Sequence, residues 1–162
     1  MIPLVFCGTP EFACPTLRAF IESDRVEIRG ILTQPDRPRG RGLRLAAPPV
    51  KKLAAQYDLS VFQPESLDEE SLSWLRRASP EMIVVVAYAA KIPNEVLELP
   101  PKGVLNLHPS VLPRYRGAAP IQWALMRGET ETGNTTMYLS EEWDAGDIIY
   151  QEKEPIHPED NY

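Results

Sequence analysis

The chain has 162 residues, 43% hydrophobic and 25% charged, with a net charge of −6. That length bounds it to one domain by default, able to bury about two-thirds of its unfolded surface, with the composition of a soluble globular protein. The acidic balance excludes a general nucleic-acid coat protein, and every apolar run falls far short of the roughly 20 residues needed to span a bilayer.

Ile2 to Cys7 is an apolar run closed by Gly8-Thr9-Pro10, which predicts a buried strand entering a turn rather than a signal peptide. Leu17, Phe20 and Ile21 recur at helical spacing, so a helix of about 11 residues is expected from near Ala13, with Pro15 tolerable only in its first turn. Val26 to Thr33 is the next strand. Strand, glycine turn, helix and strand make a βαβ unit and hence a parallel sheet. The Gly8 turn lacks the further glycines of a dinucleotide fingerprint, and Glu11 would repel a phosphate, so packing explains it better. Cys7 and Cys14 have no second pair to complete a metal site and read as reduced, packed thiols.

Residues 34–49 are polar and rich in Pro and Gly. Residues 37–52 carry Arg37, Arg39, Arg41, Arg44, Lys51 and Lys52 and no acid, whereas residues 129–162 carry ten acids and one base, Lys153. A long basic loop on an acidic body is either a solvated insert or a phosphate-gripping segment that orders on RNA. Val50 to Tyr57 predicts a short helix and Val61-Phe62 a weak strand. Ser66 and Glu69 have capping-box spacing and open a helix carrying Leu72 and Leu75. Trp74, on that helix, is expected to pack. Met82 to Ala87 is the most apolar strand, with the character of one covered on both faces. Tyr88 to Pro93 follows at its carboxyl end, where open α/β sheets bind ligands.

Val104 to Leu107 predicts a strand leading into Asn106-Leu107-His108-Pro109-Ser110-Val111-Leu112-Pro113-Arg114-Tyr115-Arg116-Gly117. Asn106 and His108 are two apart, so an extended chain presents both on one face. Ile121 to Met126 predicts a helix, Asn134 to Leu139 an alternating strand, and Ile148 to Tyr150 a last strand. Between those strands lies Glu141-Glu142-Trp143-Asp144. Asn, His and Asp supply a neutral donor, a group titrating near neutrality, and a carboxylate to orient or relay. Singly, Asn106 also suits a turn, His108 a satisfied core histidine, and Asp144 an Asx turn before Gly146; their joint spacing favours a site. Arg114 and Arg116 suit anion binding, to a ligand's acidic tail or to RNA phosphates, and surface charge equally. His108 and His157 alone make no zinc site, so no metal is expected.

Asn106-x-His108, the Ser110-Val111-Leu112-Pro113 turn, Arg116-Gly117-Ala118-Ala119-Pro120 and Asp144-x-Gly146 together resemble the folate-dependent formyltransferases. The stretches Thr33 to Pro38 and Arg39 to Gly42 direct the resemblance to the branch acting on initiator methionyl-tRNA. It implies an α/β fold, Rossmann-like, with a mostly parallel open sheet and helices on both faces. It implies 10-formyltetrahydrofolate as co-substrate, catalysis by Asn106, His108 and Asp144, and folate contacts from Tyr88, Ala89, Ile92, Ser110, Val111, Leu112 and Pro113. It places Arg37, Arg39, Arg41 and Arg44 on the tRNA, Arg41 above all. Ala89 stands where the family pattern has Gly, and Trp143 where it has a smaller residue, which predicts local changes in both loops. The expected protein is cytoplasmic and monomeric. Residues 1–162 are expected to be a truncated catalytic domain, without the β-barrel tRNA-binding domain that follows in the family. The alternatives are a formyltransferase for a small amine (an amino-sugar nucleotide or glycinamide ribonucleotide), and an inactive folate- or RNA-binding fragment.

Overall fold

A computed structural model describes residues 1–39 and 43–161. The chain divides into two compact units, Met1–Val104 and Leu105–Tyr162.

The first unit is built on parallel strands. β1 (Ile2–Gly8) pairs in parallel with β2 (Val26–Leu32) on one side and with the strand Met82–Val86 on the other, and β2 pairs in parallel with Val61–Phe62. Phe6, Leu4, Ile31 and Ile83 are fully buried, as expected of a sheet covered by crossover segments. α1 (Cys14–Ile21) has eight residues, fewer than the spacing suggested, because a 3-10 turn, Glu11–Ala13, takes up the approach to it. Gly8 needs no unusual backbone; a Cβ there would lie 2.8–3.0 Å from Phe6, Ala13 and the Val86 carbonyl. Packing is thus what the Gly8 turn serves.

The basic stretch holds more structure than a loop. β3 (Arg37–Arg39) and β4 (Arg44–Ala46) pair antiparallel, with Pro38 opposite Leu45. Pro38 would weaken an interior strand, but an isolated two-stranded arm leaves each strand an open edge where a missing N–H costs nothing. At its base Asp36 takes hydrogen bonds from Lys51 Nζ at 2.9 Å and Gln63 Nε2 at 2.8 Å. These hold its carboxyl below the usual range, the Gln63 contact most. α2 (Pro49–Ala55) and β5 (Val61–Phe62) follow as expected.

α3 (Glu69–Ala78) is capped by Asp68, whose carboxylate accepts from the Glu70 and Ser71 N–H groups. The capping box expected from Ser66 does not form. Ser66 instead donates to Asp68 and takes the Ser71 hydroxyl on its carbonyl. Trp74 packs as expected, stacked 5.1 Å from Phe62; a Cβ on Gly30 would meet its ring at 2.6 Å. β6 (Met82–Val86) is the all-apolar strand. A four-residue helix, α4 (Asn94–Leu97), lies in a stretch the sequence left unassigned.

In the second unit the pairing turns antiparallel. β7 (Val104–His108) begins at the unit boundary, and from Leu105 it pairs with β8 (Glu131–Tyr138), which pairs with β9 (Ile148–Pro155). Both later strands run longer than their apolar cores suggested, because polar residues extend each ladder. α5 (Pro120–Met126) lies between β7 and β8 in the chain.

Candidate active site

On β7 the buried face carries Val104, Asn106 and His108, exposed by 2%, 8% and 5%, while Leu105 and Leu107 are only partly covered. The strand therefore buries its polar pair, against the usual preference. Burial without partners would be costly, and His108 has partners on both ring nitrogens. Its Nε2 lies 2.9 Å from the Tyr115 carbonyl. A carbonyl can only accept, so Nε2 carries a proton. Its Nδ1 lies 3.6 Å from Asp144 Oδ2, with both side chains buried. That separation is slightly long for a direct hydrogen bond and short enough for strong charge interaction in a shielded site. No hydrogen bond among the described residues engages the Asn106 side chain, which leaves a largely buried residue with its amide donors unspent.

Two turns deliver the partners. Tyr115 carries a left-handed φ of +56°, and Gly117 one of +84°. Gly117 donates its N–H to Asp144 Oδ2 at 2.8 Å, so the oxygen facing His108 is also held by backbone. Asp144 itself sits at φ +48°. Two residues on, a Cβ on Gly146 would lie 1.9 Å from the Tyr138 carbonyl. Gly146 thus lets the turn close onto the end of β8 and bury the carboxylate. Trp143 points outward, 62% exposed, beside the buried Asp144; its bulk stays off the carboxylate.

The Ser110-to-Pro113 turn is fastened from below. Thr135 Oγ1 donates to the Ser110 carbonyl at 2.6 Å and accepts from the Leu112 N–H at 3.1 Å. Gln151 Nε2 reaches Thr135 Oγ1 at 2.9 Å and the Leu112 carbonyl at 2.8 Å. Ser110 donates to the Arg114 carbonyl, so its hydroxyl is committed within the turn. Of the four residues, Ser110 and Leu112 are buried, Val111 is partly covered and Pro113 is exposed. Sequence reasoning missed Tyr115, Thr135 and Gln151. Only Thr135 left a signal, a hydroxyl on the buried face of an alternating strand, which demands partners.

The remaining expected site residues lie in the first unit. Tyr88 and Ile92 are buried, and Ala89 is exposed at φ +67°. A glycine takes that backbone freely, whereas an L-residue spends roughly 1–2 kcal/mol. Burial pushes the Tyr88 phenol up, with the Cys7 thiol adding to the effect; its carbonyl accepts from Thr9 Oγ1 at 3.2 Å. Arg37 forms an exposed pair with Glu65 at 3.1 Å, of the kind that contributes little to stability. Arg44 is exposed. Arg39 lies in β3 opposite Arg44, and Arg41 lies outside the described residues. Among the described residues, no group of three or more His, Cys, Asp or Glu could hold a metal, and no helix is long and apolar enough to cross a membrane.

Residues 2–162 match the family model described as formyl transferase, and the chain belongs to that family. Within it, the chain is 51% identical over 162 residues to the methionyl-tRNA formyltransferase of Syntrophus aciditrophicus, covering 99% of this chain and 52% of that protein. It is 55% identical over 157 residues to the methionyl-tRNA formyltransferase of Moorella thermoacetica, covering 96% and 50%. The chain spans about half the length of these curated relatives. Among solved structures, the phosphoribosylglycinamide formyltransferase of Bacillus halodurans shares the fold, with a TM-score of 0.80 at 21% identity over 98% of this chain and 82% of that one. The α/β class expected from the sequence is thereby established.

Proposed function

We propose that this chain transfers the formyl group of 10-formyltetrahydrofolate to the α-amino group of methionine on initiator methionyl-tRNA, as a cytoplasmic monomer. The observation that carries the reading is the unspent amide of the largely buried Asn106, two residues from an imidazole held between Tyr115 and Asp144. The acceptor is taken from the relatives, which are named for it.

The amine nitrogen attacks the formyl carbon, a carbon–nitrogen bond forms, and the carbonyl oxygen becomes an oxyanion. Asn106 offers its amide N–H to that oxygen. One fixed donor of this kind is worth about 3–4 kcal/mol, because it is already oriented when the charge develops. Collapse of the intermediate breaks the bond to the donor nitrogen, and the proton lost by the amine must end there. His108 Nδ1, facing Asp144, is the ring atom that takes or gives that proton, since Nε2 is committed to the Tyr115 carbonyl. Asp144 stabilises the protonated ring and connects it to solvent for the relay. The loop at Tyr88, Ala89 and Ile92 contacts the pterin chiefly through backbone, because two of those three side chains are buried. Ser110, Val111, Leu112 and Pro113 contribute further folate contacts, with Ser110 acting through its backbone. Arg37, Arg39, Arg41 and Arg44 meet tRNA phosphates.

Asn106→Ala is expected to lower the single-turnover formylation rate by about 10²-fold or more, with the thermal midpoint little changed. Near wild-type turnover by the folded variant would sink the assignment.

A further inference from the structure

A cavity of about 410 Å³ in the second unit is lined by Arg114, Tyr115, Arg116, Trp123, Arg127 and Glu129. Its volume falls within the roughly 300–1,000 Å³ of small-molecule sites, and its lining is unusual for an acidic protein. Three guanidiniums and two aromatic rings meet a single carboxylate. That carboxylate is already engaged, since Glu129 accepts from both the Tyr115 hydroxyl and Arg114. The two contacts hold its carboxyl below the usual range, Tyr115 contributing most. Arg116 and Arg127 form no ion pair within 4.0 Å among the described residues, although the Arg127 charge acts on Glu129. Arg127 is layered against rings instead, 5.5 Å from the centroid of Tyr115 and 5.8 Å from that of Trp123. Trp123 remains 47% exposed.

Three guanidiniums against one engaged carboxylate call for an anion, and a ring–guanidinium layer with an open aromatic surface calls for another flat π system. A carboxylate ligand would use the first feature and leave the second idle. A nucleotide uses both. We propose that this pocket binds a nucleotide of single-stranded RNA, with its base on the Trp123–Arg127 layer and its phosphate between Arg116 and Arg127. The proposal rests on the reading above, in which RNA carries the acceptor amine, and adds the place where that strand is gripped. The link to the chemistry is short. Tyr115 forms a wall of the pocket with its ring and gives its carbonyl to His108 Nε2 at 2.9 Å.

The test is fluorescence anisotropy with a labelled single-stranded RNA tetranucleotide, and with adenosine monophosphate as competitor, on the wild type, Trp123→Ala and Arg116→Gln. Binding of 10-formyltetrahydrofolate is measured in parallel. Trp123→Ala is expected to weaken the RNA by about tenfold through lost stacking. Arg116→Gln is expected to weaken it similarly and to lower the salt slope by about one phosphate contact. Arg116 is exposed and lies outside helix and strand, so that variant keeps the test alive if Trp123→Ala misfolds. Unchanged RNA affinity in Arg116→Gln overturns the proposal. So does adenosine monophosphate binding as tightly as the tetranucleotide, which assigns the pocket to a free nucleotide. A wild-type chain that binds the tetranucleotide in this pocket but not 10-formyltetrahydrofolate defeats the formyl-transfer reading and leaves the pocket standing.

Discussion

Strands β6 and β7 are each five residues long, yet they do different jobs. β6 buries Ile83, Val84, Val85 and Val86, none more than 6% exposed, and has no polar side chain. β7 buries Asn106 and His108 and leaves its leucines at the margin. An apolar side chain asks its surroundings only for volume. A buried imidazole asks for partners in fixed positions, and those partners ask for their own. Around β7 the demand spreads outward through Asp144, Tyr115 and Gly117, while Thr135 and Gln151 hold the adjoining turn. Around β6 nothing comparable is required. Stability and the proposed chemistry therefore sit on different strands, and substitutions should separate them.

Ile83→Ala gives the largest effect on stability. It is expected to remove about 2–5 kcal/mol, measured by urea unfolding, while the single-turnover rate per folded molecule stays at the wild-type value. A variant that kept its stability but lost its rate would break the contrast. Thr135→Val sharpens it from the other side. The hydroxyl bonds three groups, and losing it is expected to cost about 1–3 kcal/mol through unsatisfied buried partners. Unlike Ile83→Ala, it should also slow the proposed formyl transfer, because the turn after His108 loosens. If rate and stability do not fall together, the network is not what holds that turn.

The smallest effect concerns Cys7, a buried thiol beside β6, opposite Val85. Burial pushes it from a usual value of 9.0 up to about 12. An unfolded chain releases this proton near pH 9.0, while the folded chain holds it to about 12. The folded state therefore binds more protons in that window, and stability declines as pH rises through it. Below pH 9.0 the thiol adds no slope. Cys7→Ala should flatten the alkaline decline in thermal midpoint; an unchanged decline would show that the thiol is not its source.

Much of this molecule is legible from local pattern. The run Ile2 to Cys7, the Val-rich run at 82–87 and the spacing of Leu72 and Leu75 each specify an element, because periodicity and turn residues act over a few positions. The helix cap falls on Asp68 rather than Ser66 because Asp68, two residues later, offers a charged acceptor that Ser66 itself supports. The pairing of β3 with β4 was missed because proline and glycine read as breakers, and an exposed arm tolerates them.

The amino-acid order by itself determined the βαβ start of the chain, the placing of Asn106 and His108 on one strand face, and the turns at Gly117 and Gly146. Only the tertiary structure decided that this polar face, rather than the leucine face, is the buried one. It also decided that Asp144 reaches Nδ1 while Tyr115 occupies Nε2, and that Thr135 and Gln151 underpin the turn. The physical reason is distance along the chain. Gly117 and Asp144 are 27 residues apart, and Gln151 and Leu112 are 39 apart, so the partners that make buried polarity tolerable are supplied by segments that no local pattern links.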